Sequence, residues 1–225
     1  MLIGADGAQS IVARQLTNFK VSLQDNVAAV RAYYKNVTGL HQNSTEFYIS
    51  KKYPSAYLWI FPVADNLANV GVGMLSTNIS KQNIKLRKLL DEWIAESKVL
   101  QDRLADAEQV TKIQGFGLPL GTRRVPIVGN NFVLIGDAAS LIDPIGGHGI
   151  DTAMLSGQLA AQQIIKAFQV QDFSKNHFKN YEIELFKHIG NDFKQKTKIL
   201  RWTNRYPRLS VALMNMASVF YKNNG

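Results

Sequence analysis

Apolar and polar residues alternate along this chain at two periods, and the switches between them mark its elements. Leu2-Ile3 closes an apolar run that meets Gly4-Ala5-Asp6-Gly7, and Ile11, Val12 and Leu16 follow Ser10. That pattern predicts a strand, a turn and a short helix capped by Ser10. From 25 to 76 the pattern is that of strands. Val27–Tyr34, Thr45–Ile49, Ala56–Phe61 and Val70–Leu75 are rich in β-branched and aromatic residues, with Gly, Asn, Pro and Ser clusters between them. The period lengthens over 80–97, where Leu86, Leu89, Leu90, Trp93 and Ile94 fall three and four apart, and predicts a helix capped by Ser80. Val110–Phe116 reads as a strand again. Phe132–Ile135 is a short, wholly apolar run of the kind buried in a parallel sheet, and it ends on Gly136-Asp137. A helix is predicted from Ile150 to Phe168. Two or three amphipathic helices follow from Ser174 to Lys222, with Pro207 in the first turn of the last.

A short βα piece, an antiparallel block, a single buried strand and then helices imply intertwined units. Residues 1–24 and 117–170 form one, residues 25–116 an inserted sheet, and residues 171–225 a C-terminal helical region. Leu2-Ile3 reads as the end of a core strand, an unusual place for a domain to open, and predicts that the natural protein begins upstream.

Composition narrows the function classes. With 46% hydrophobic residues among 225, the chain can bury one or two cores. It has no cysteine, which excludes disulfides, thiolate catalysis and cysteine-bound zinc and fits a cytoplasmic protein. No run approaches the roughly 18 apolar residues of a membrane span. The net charge of +9 admits a nucleic acid, an anionic membrane surface or an acidic ligand. Many of the cations, such as Lys179, Lys187, Lys194, Lys198 and Arg201, are spaced as on a solvated helix face. Peripheral contact with a membrane is the second reading. No nucleic-acid motif accompanies the charge, so no nucleic-acid partner is expected. The histidines have no metal-like spacing with carboxylates, and no metal is assigned.

Three constellations carry chemistry. The first is Phe132 to Ile150. A buried strand brings Asp137 to its carboxyl end, where ligands bind in open α/β sheets, and an aspartate there can accept bonds from sugar-like hydroxyls. Gly146, Gly147 and Gly149 let backbone approach a flat ligand, and the helix start at Gly149-Ile150 points a positive dipole end at it. Read alone, the same run is also an ordinary glycine-rich loop. The second is Gly4 to Arg14, a tight strand-to-helix turn holding Asp6 and Gly7, or else simply a capped turn. The third is Tyr57-Leu-Trp59-Ile-Phe61-Pro62, then eight residues, then Gly71-Val-Gly73. Its three aromatics share one strand face and suit either a long apolar ligand or plain core packing.

Together these motifs resemble the glutathione-reductase-like FAD oxidoreductases, and within them the geranylgeranyl reductase family. Gly136-Asp137-Ala138-Ala139, Pro144, Gly147, Gly149, Ile150 and Ala153-Met154-Leu155-Ser156-Gly157 match the second flavin motif. Gly4-Ala5-Asp6-Gly7, Ser10 and Val12 match the Asp-Gly motif, with Arg14 one place late. Tyr57-x-Trp59-x-Phe61-Pro62 with Gly71-x-Gly73 matches the reductases' prenyl-cavity pattern. Gly146 stands where Thr or Ser is common, and His148 where Gly or Glu is common.

The resemblance implies a partial FAD/NAD(P)-binding Rossmann-like α/β domain with an inserted, mostly antiparallel α+β substrate-side sheet. It implies FAD held by Asp6, Gly7, Arg14, Gly136, Asp137, Pro144, Gly147, His148, Gly149 and Ile150, reloaded by NAD(P)H or another donor. It implies an isoprenoid substrate against Tyr57, Trp59, Phe61, Pro62, Gly71 and Gly73, whose C=C bonds are reduced. His148 is the candidate proton donor, or else a histidine on the loop surface. The family's Gly-x-Gly-x-x-Gly unit has no equivalent in these residues and would precede Met1. A flavin monooxygenase or halogenase, and a cofactor-free fragment or interaction module, are the alternatives.

Overall fold

In chain order the elements are β1 (Leu2–Gly4), α1 (Ile11–Leu16), β2 (Asn26–Lys35), β3 (Glu46–Ile49), β4 (Ala56–Ala64), β5 (Leu67–Leu75), α2 (Ser76–Gln82), α3 (Leu86–Glu96), α4 (Lys98–Leu104), β6 (Glu108–Gln109), β7 (Gln114–Pro119), β8 (Val128–Gly129), β9 (Phe132–Leu134), α5 (Ile150–Val170) and α6 (Lys175–Arg205). They come from a computed structural model that describes residues 1–64 and 66–212. The chain divides into two units, Met1–Val27 with Gly117–Trp202, and Ala28–Phe116 with the described residues from Thr203 on.

In the first unit β1 runs parallel to β9, with Leu2, Ile3 and Gly4 opposite Phe132, Val133 and Leu134, and β8 pairs antiparallel on the other side of β9. α5 buries a stripe of small and polar side chains, including Thr152, Ser156, Ala160 and Ala167. That stripe packs α5 against the turn at Gly136–Ala139. α6 buries Phe178, Tyr181, Leu185, Ile189 and Phe193, three and four apart, so one helical face enters the core beside Val133, Leu134 and Leu141. Tyr181 lies wholly inside, and its hydroxyl donates to the Leu134 carbonyl at 2.8 Å, which satisfies the buried phenol.

The second unit is built on a six-stranded sheet in the order β3-β4-β5-β2-β6, with β7 paired to β2. Alternate residues choose its faces. Leu58, Ile60, Val70, Val72 and Met74 are buried against Leu89, Leu90, Trp93 and Leu100 of α3 and α4. Tyr57, Trp59 and Phe61 fall on the opposite face.

Ser10 caps α1 as its position predicts, its hydroxyl accepting from the Ala13 N–H at 2.9 Å, and α5 begins at Ile150. The helix expected over 80–97 is divided. Asn83 takes a left-handed conformation (φ +51°) that ends α2, α3 begins at Leu86, and Ser80 lies inside α2 instead of capping α3. Val110–Phe116 also differs. The strand starts at Gln114, and Val110 makes a single backbone bond to the Tyr33 carbonyl. After α6, helical backbone resumes at Pro207, and residues 213–225, including the polar end at Lys222–Gly225, lie outside the described residues.

Candidate flavin-binding cleft and aromatic sheet face

β9 ends at Leu134, and the chain turns sharply through Gly136 (φ +57°) into a 3₁₀ turn, Gly136–Ala139, that carries Asp137. A second turn at Gly147 (φ +67°) leads into α5. Between them lies a cleft of about 380 Å³, within the roughly 300 to 1,000 Å³ common for ligand sites. Gly7, Gly136, Asp137, Gly147, Gly149 and Ile150 line it, together with Ala5, Leu118, Ile135, Ile142 and Ala153.

The glycines are there because side chains would fill the space. A Cβ at Gly149 would lie 3.2 Å from Asp137 Oδ1 and 3.2 Å from Ile142 Cγ1, and a Cβ at Gly136 3.2 Å from the Ala153 Cβ. Gly7 (φ +76°) needs the left-handed region that glycine adopts freely. α5 is fastened to this floor by two hydroxyls. Ser156 accepts from the Gly136 N–H at 3.0 Å, and Thr152 donates to the Leu141 carbonyl at 2.7 Å.

Asp137 is the chemical centre of the cleft. Burial pushes its carboxyl above the usual range. Among the described residues no donor reaches its side chain. A half-buried acceptor without a donor, beside the N-terminus of a 21-residue helix, fits a ligand that brings hydroxyls and negative charge. The ribityl and pyrophosphate parts of FAD have that chemistry, so the residues present fit the cofactor.

Of the other expected cofactor residues, Asp6 and Arg14 are engaged within their own turn and Pro144 and His148 lie outside the lining. Asp6 accepts from the Ser10 hydroxyl (2.6 Å) and from the N–H groups of Ile11 (2.7 Å) and Val12 (3.3 Å). Burial works to raise its carboxyl, but these bonds outweigh it and hold it below the usual range. Arg14 spends its donors on the Ser10 and Gln9 carbonyls. Pro144 and His148 are absent from the cleft lining. The imidazole of His148 lies 3.0 Å from Asp151 through Nδ1 and 3.6 Å from Asp143 through Nε2.

Asp143 itself went unnoticed in the sequence and is the hub of the loop. It is 1% exposed. Its Oδ1 accepts from the Ile145 (2.9 Å) and Gly146 (2.6 Å) N–H groups, and its Oδ2 meets the Lys196 ammonium of α6 at 2.6 Å. Its backbone bonds that of His148 and Gly147. Burial works to raise the carboxyl, and the Lys196 and backbone bonds overcome it, so Asp143 is held ionised. Gly146 is the complement of His148, because a Cβ there would lie 2.6 Å from the imidazole Cδ2. The two departures from the flavin motif are one steric unit. The apolar cleft residues Leu118, Ile135 and Ile142 were also missed. No sequence signal separates an apolar residue beside a ligand from one in a core.

In the second unit, Tyr57, Trp59 and Phe61 of β4 form a continuous aromatic row. Ring centres are 5.7 Å apart from Tyr57 to Trp59 and 5.9 Å from Trp59 to Phe61, and Phe47 of β3 leans on the row 5.2 Å from Phe61. Across the sheet, Gly73, Gly71 and Asn69 stand opposite Tyr57, Trp59 and Phe61. A Cβ at Gly71 would lie 2.3 Å from the Trp59 ring, so the glycine lets the indole lie down on β5. The indole N–H donates to Asn69 Oδ1 at 3.0 Å, which fixes its tilt. Pro62 follows the row on the same strand, at the residue where the β4–β5 register shifts.

Known proteins bear on these two sites. The geranylgeranyl reductase catalytic domain family matches residues 25–116, the span holding the aromatic row and its glycines. A digeranylgeranylglycerophospholipid reductase from Methanosphaera stadtmanae is 32% identical over 87% of this chain and 47% of its own length. A digeranylgeranylglycerophospholipid reductase from Thermoplasma acidophilum is 33% identical over 81% of this chain and 45% of its own. The chain thus spans about half the length of the curated relatives it matches. Among solved structures, a geranylgeranyl bacteriochlorophyll reductase-like protein from Thermoplasma acidophilum superposes with a TM-score of 0.74 at 30% identity, over 92% of this chain and 50% of that one. A flavin-dependent brominase shares the fold, with a TM-score of 0.73 at 23% identity over 96% of this chain and 54% of its own. With the catalytic-domain match on the aromatic sheet and similarity running on across the cleft, the chain is similar to the geranylgeranyl reductase family at both sites.

Proposed function

We propose that this chain supplies the flavin-facing loop and the isoprenoid-binding sheet of a FAD-dependent reductase that saturates C=C bonds of a geranylgeranyl chain. The observation that carries the flavin half is the carboxylate of Asp137, held without a donor in a glycine-walled cleft at the start of α5. Asp137 accepts from the hydroxyls of the cofactor's sugar-like chain. Gly136, Gly147 and Gly149 allow the ring system to lie against backbone, and the N-terminus of α5 favours negative charge on the reduced ring. The bound flavin supplies the hydride, and NAD(P)H or another donor reloads it. On the sheet, Tyr57, Trp59 and Phe61 offer an apolar bed for the chain, and Gly71 and Gly73 opposite them leave the rings room to lie against β5. The exposed cations of α6, among them Lys179, Lys187, Lys194 and Lys198, touch an anionic membrane surface that holds the lipid.

FAD titrated into the purified chain, followed by its fluorescence, gives a saturable change that weakens about tenfold in Asp137→Ala, the cost of one hydrogen bond to a charged group. Incubation with a geranylgeranyl lipid and a reductant then adds two hydrogens per reduced bond by mass spectrometry. No change with FAD, or wild-type affinity in the variant, refutes the cleft assignment. Reductant-driven oxygen uptake coupled to a hydroxylated or halogenated aromatic refutes the reductase.

A further inference from the structure

A cation lies on the aromatic-row face of the second sheet that the flavin cleft and the row itself leave without a task. Val30 and Tyr34 of β2 point into the core with Val70 and Val72. Arg31 and Tyr33, one residue out of step, therefore fall on the face of Trp59 and Gly71. β2 adjoins β5, where the Gly71 backbone packs against the Val30 carbonyl. From β2 over β5 to β4 is two strand spacings, about 10 Å.

The Arg31 guanidinium carbon lies 4.7 Å from the centre of the Tyr33 ring and 5.8 Å from that of Phe116 on β7. Among the described residues it has no carboxylate partner. Arg103 of the same unit is paired with Glu46, and Lys35, farther along the same face, stands opposite Glu108. Two rings steady the guanidinium, which keeps its donors for an acceptor from outside. A guanidinium so held suits the paired oxygens of a phosphate.

We propose that Arg31 anchors the phosphate or diphosphate head of an anionic isoprenoid whose chain runs along this face onto Trp59, which covers Gly71, and its neighbours. The aromatic row gives the occupant its tail, and the unpaired cation about 10 Å away gives it its head. The assignment rests on the reading of this face as the isoprenoid surface.

The test is titration of the full chain with three probes, a C20 prenyl diphosphate, the C20 prenyl alcohol and inorganic pyrophosphate, followed by calorimetry and by tryptophan emission. Trp59→Phe identifies the signal from this face. The wild type binds the prenyl diphosphate about tenfold or more tighter than the alcohol, the strength of a charge-assisted contact. Arg31→Met abolishes that preference and leaves the alcohol's affinity unchanged, and Arg31→Lys keeps part of it. Equal affinity for diphosphate and alcohol in the wild type overturns the Arg31 assignment and leaves the isoprenoid face standing. Equal weakening of both ligands in Arg31→Met makes the arginine structural and overturns it too. Pyrophosphate binding as tightly as the prenyl diphosphate makes this a free-phosphate site and overturns the lipid. Binding of neither prenyl probe overturns the isoprenoid face and the anchor together.

Discussion

Asp137 and Asp143 are six residues apart on one loop, and burial acts on both, yet they behave oppositely. Burial raises the Asp137 carboxyl, which has no donor among the described residues, and the folded state carries a penalty for the charge. A raised carboxyl favours folding at low pH and loses that contribution as the pH climbs through the folded value. Asp137→Asn is therefore expected to melt at a higher temperature than wild type at neutral pH, and the gain should vanish as both are acidified into the carboxylate range. It should also bind FAD more weakly, the usual exchange of stability for function at a site. Asp143 carries the reverse sign. Its lowered carboxyl contributes stability above the unfolded value, and that contribution is lost as the pH falls through the folded one. Asp143→Ala takes the acceptor from two loop N–H groups and leaves Lys196 only the exposed Asp192 of its own helix, and should cost about 2–4 kcal/mol in urea unfolding at neutral pH, less in acid. His148 stood out in the sequence by its place in the motif. Asp143, which faces it, did not, because the Lys196 that holds Asp143 lies 53 residues away and only the packing of α6 brings the two together. Gly146→Ser should expel the imidazole and lower the melting temperature. His148→Gly added to it should recover most of that loss, and additive effects would show that the two positions are independent.

At the scale of elements, legibility followed the strength of local signals. β4 and β5 were readable because aromatic and β-branched runs end in turn residues, and α5 because glycines precede a long apolar period. The division of α2 from α3 was hidden. It depends on one asparagine adopting a left-handed backbone within a stretch that otherwise keeps helical spacing. β8 has two residues and exists only through its pairing with β9. The element most sensitive to a single atom is β5. A methyl at Gly71 meets the Trp59 ring and, 2.6 Å away, the Val30 backbone carbonyl, which cannot swing aside. Gly71→Ala should therefore cost about 2–3 kcal/mol by overpacking and shift the tryptophan emission. Wild-type stability would mean that the indole is free to move.

For the molecule as a whole, the charge of +9 is the property most open to test. No described helix is long and apolar enough to cross a membrane, so any hold on lipid by the described helices comes from their surface. The chain should sediment with vesicles rich in anionic lipid at low ionic strength and be released near 1 M salt, where the screening length falls to about 3 Å. Retention at high salt would point to apolar insertion instead. α6 also limits how this architecture can vary over evolutionary time. Tyr181 holds the end of β9, and Lys196, fifteen residues or about 22 Å farther along the same helix, holds the loop through Asp143. One inserted residue between them would turn everything beyond it by about 100°. A whole heptad would restore the facing but carry the ammonium about 10 Å past its carboxylate. The helix therefore acts as a gauge of fixed length, and homologues that keep both contacts should show gaps and insertions on either side of this fifteen-residue interval and none within it.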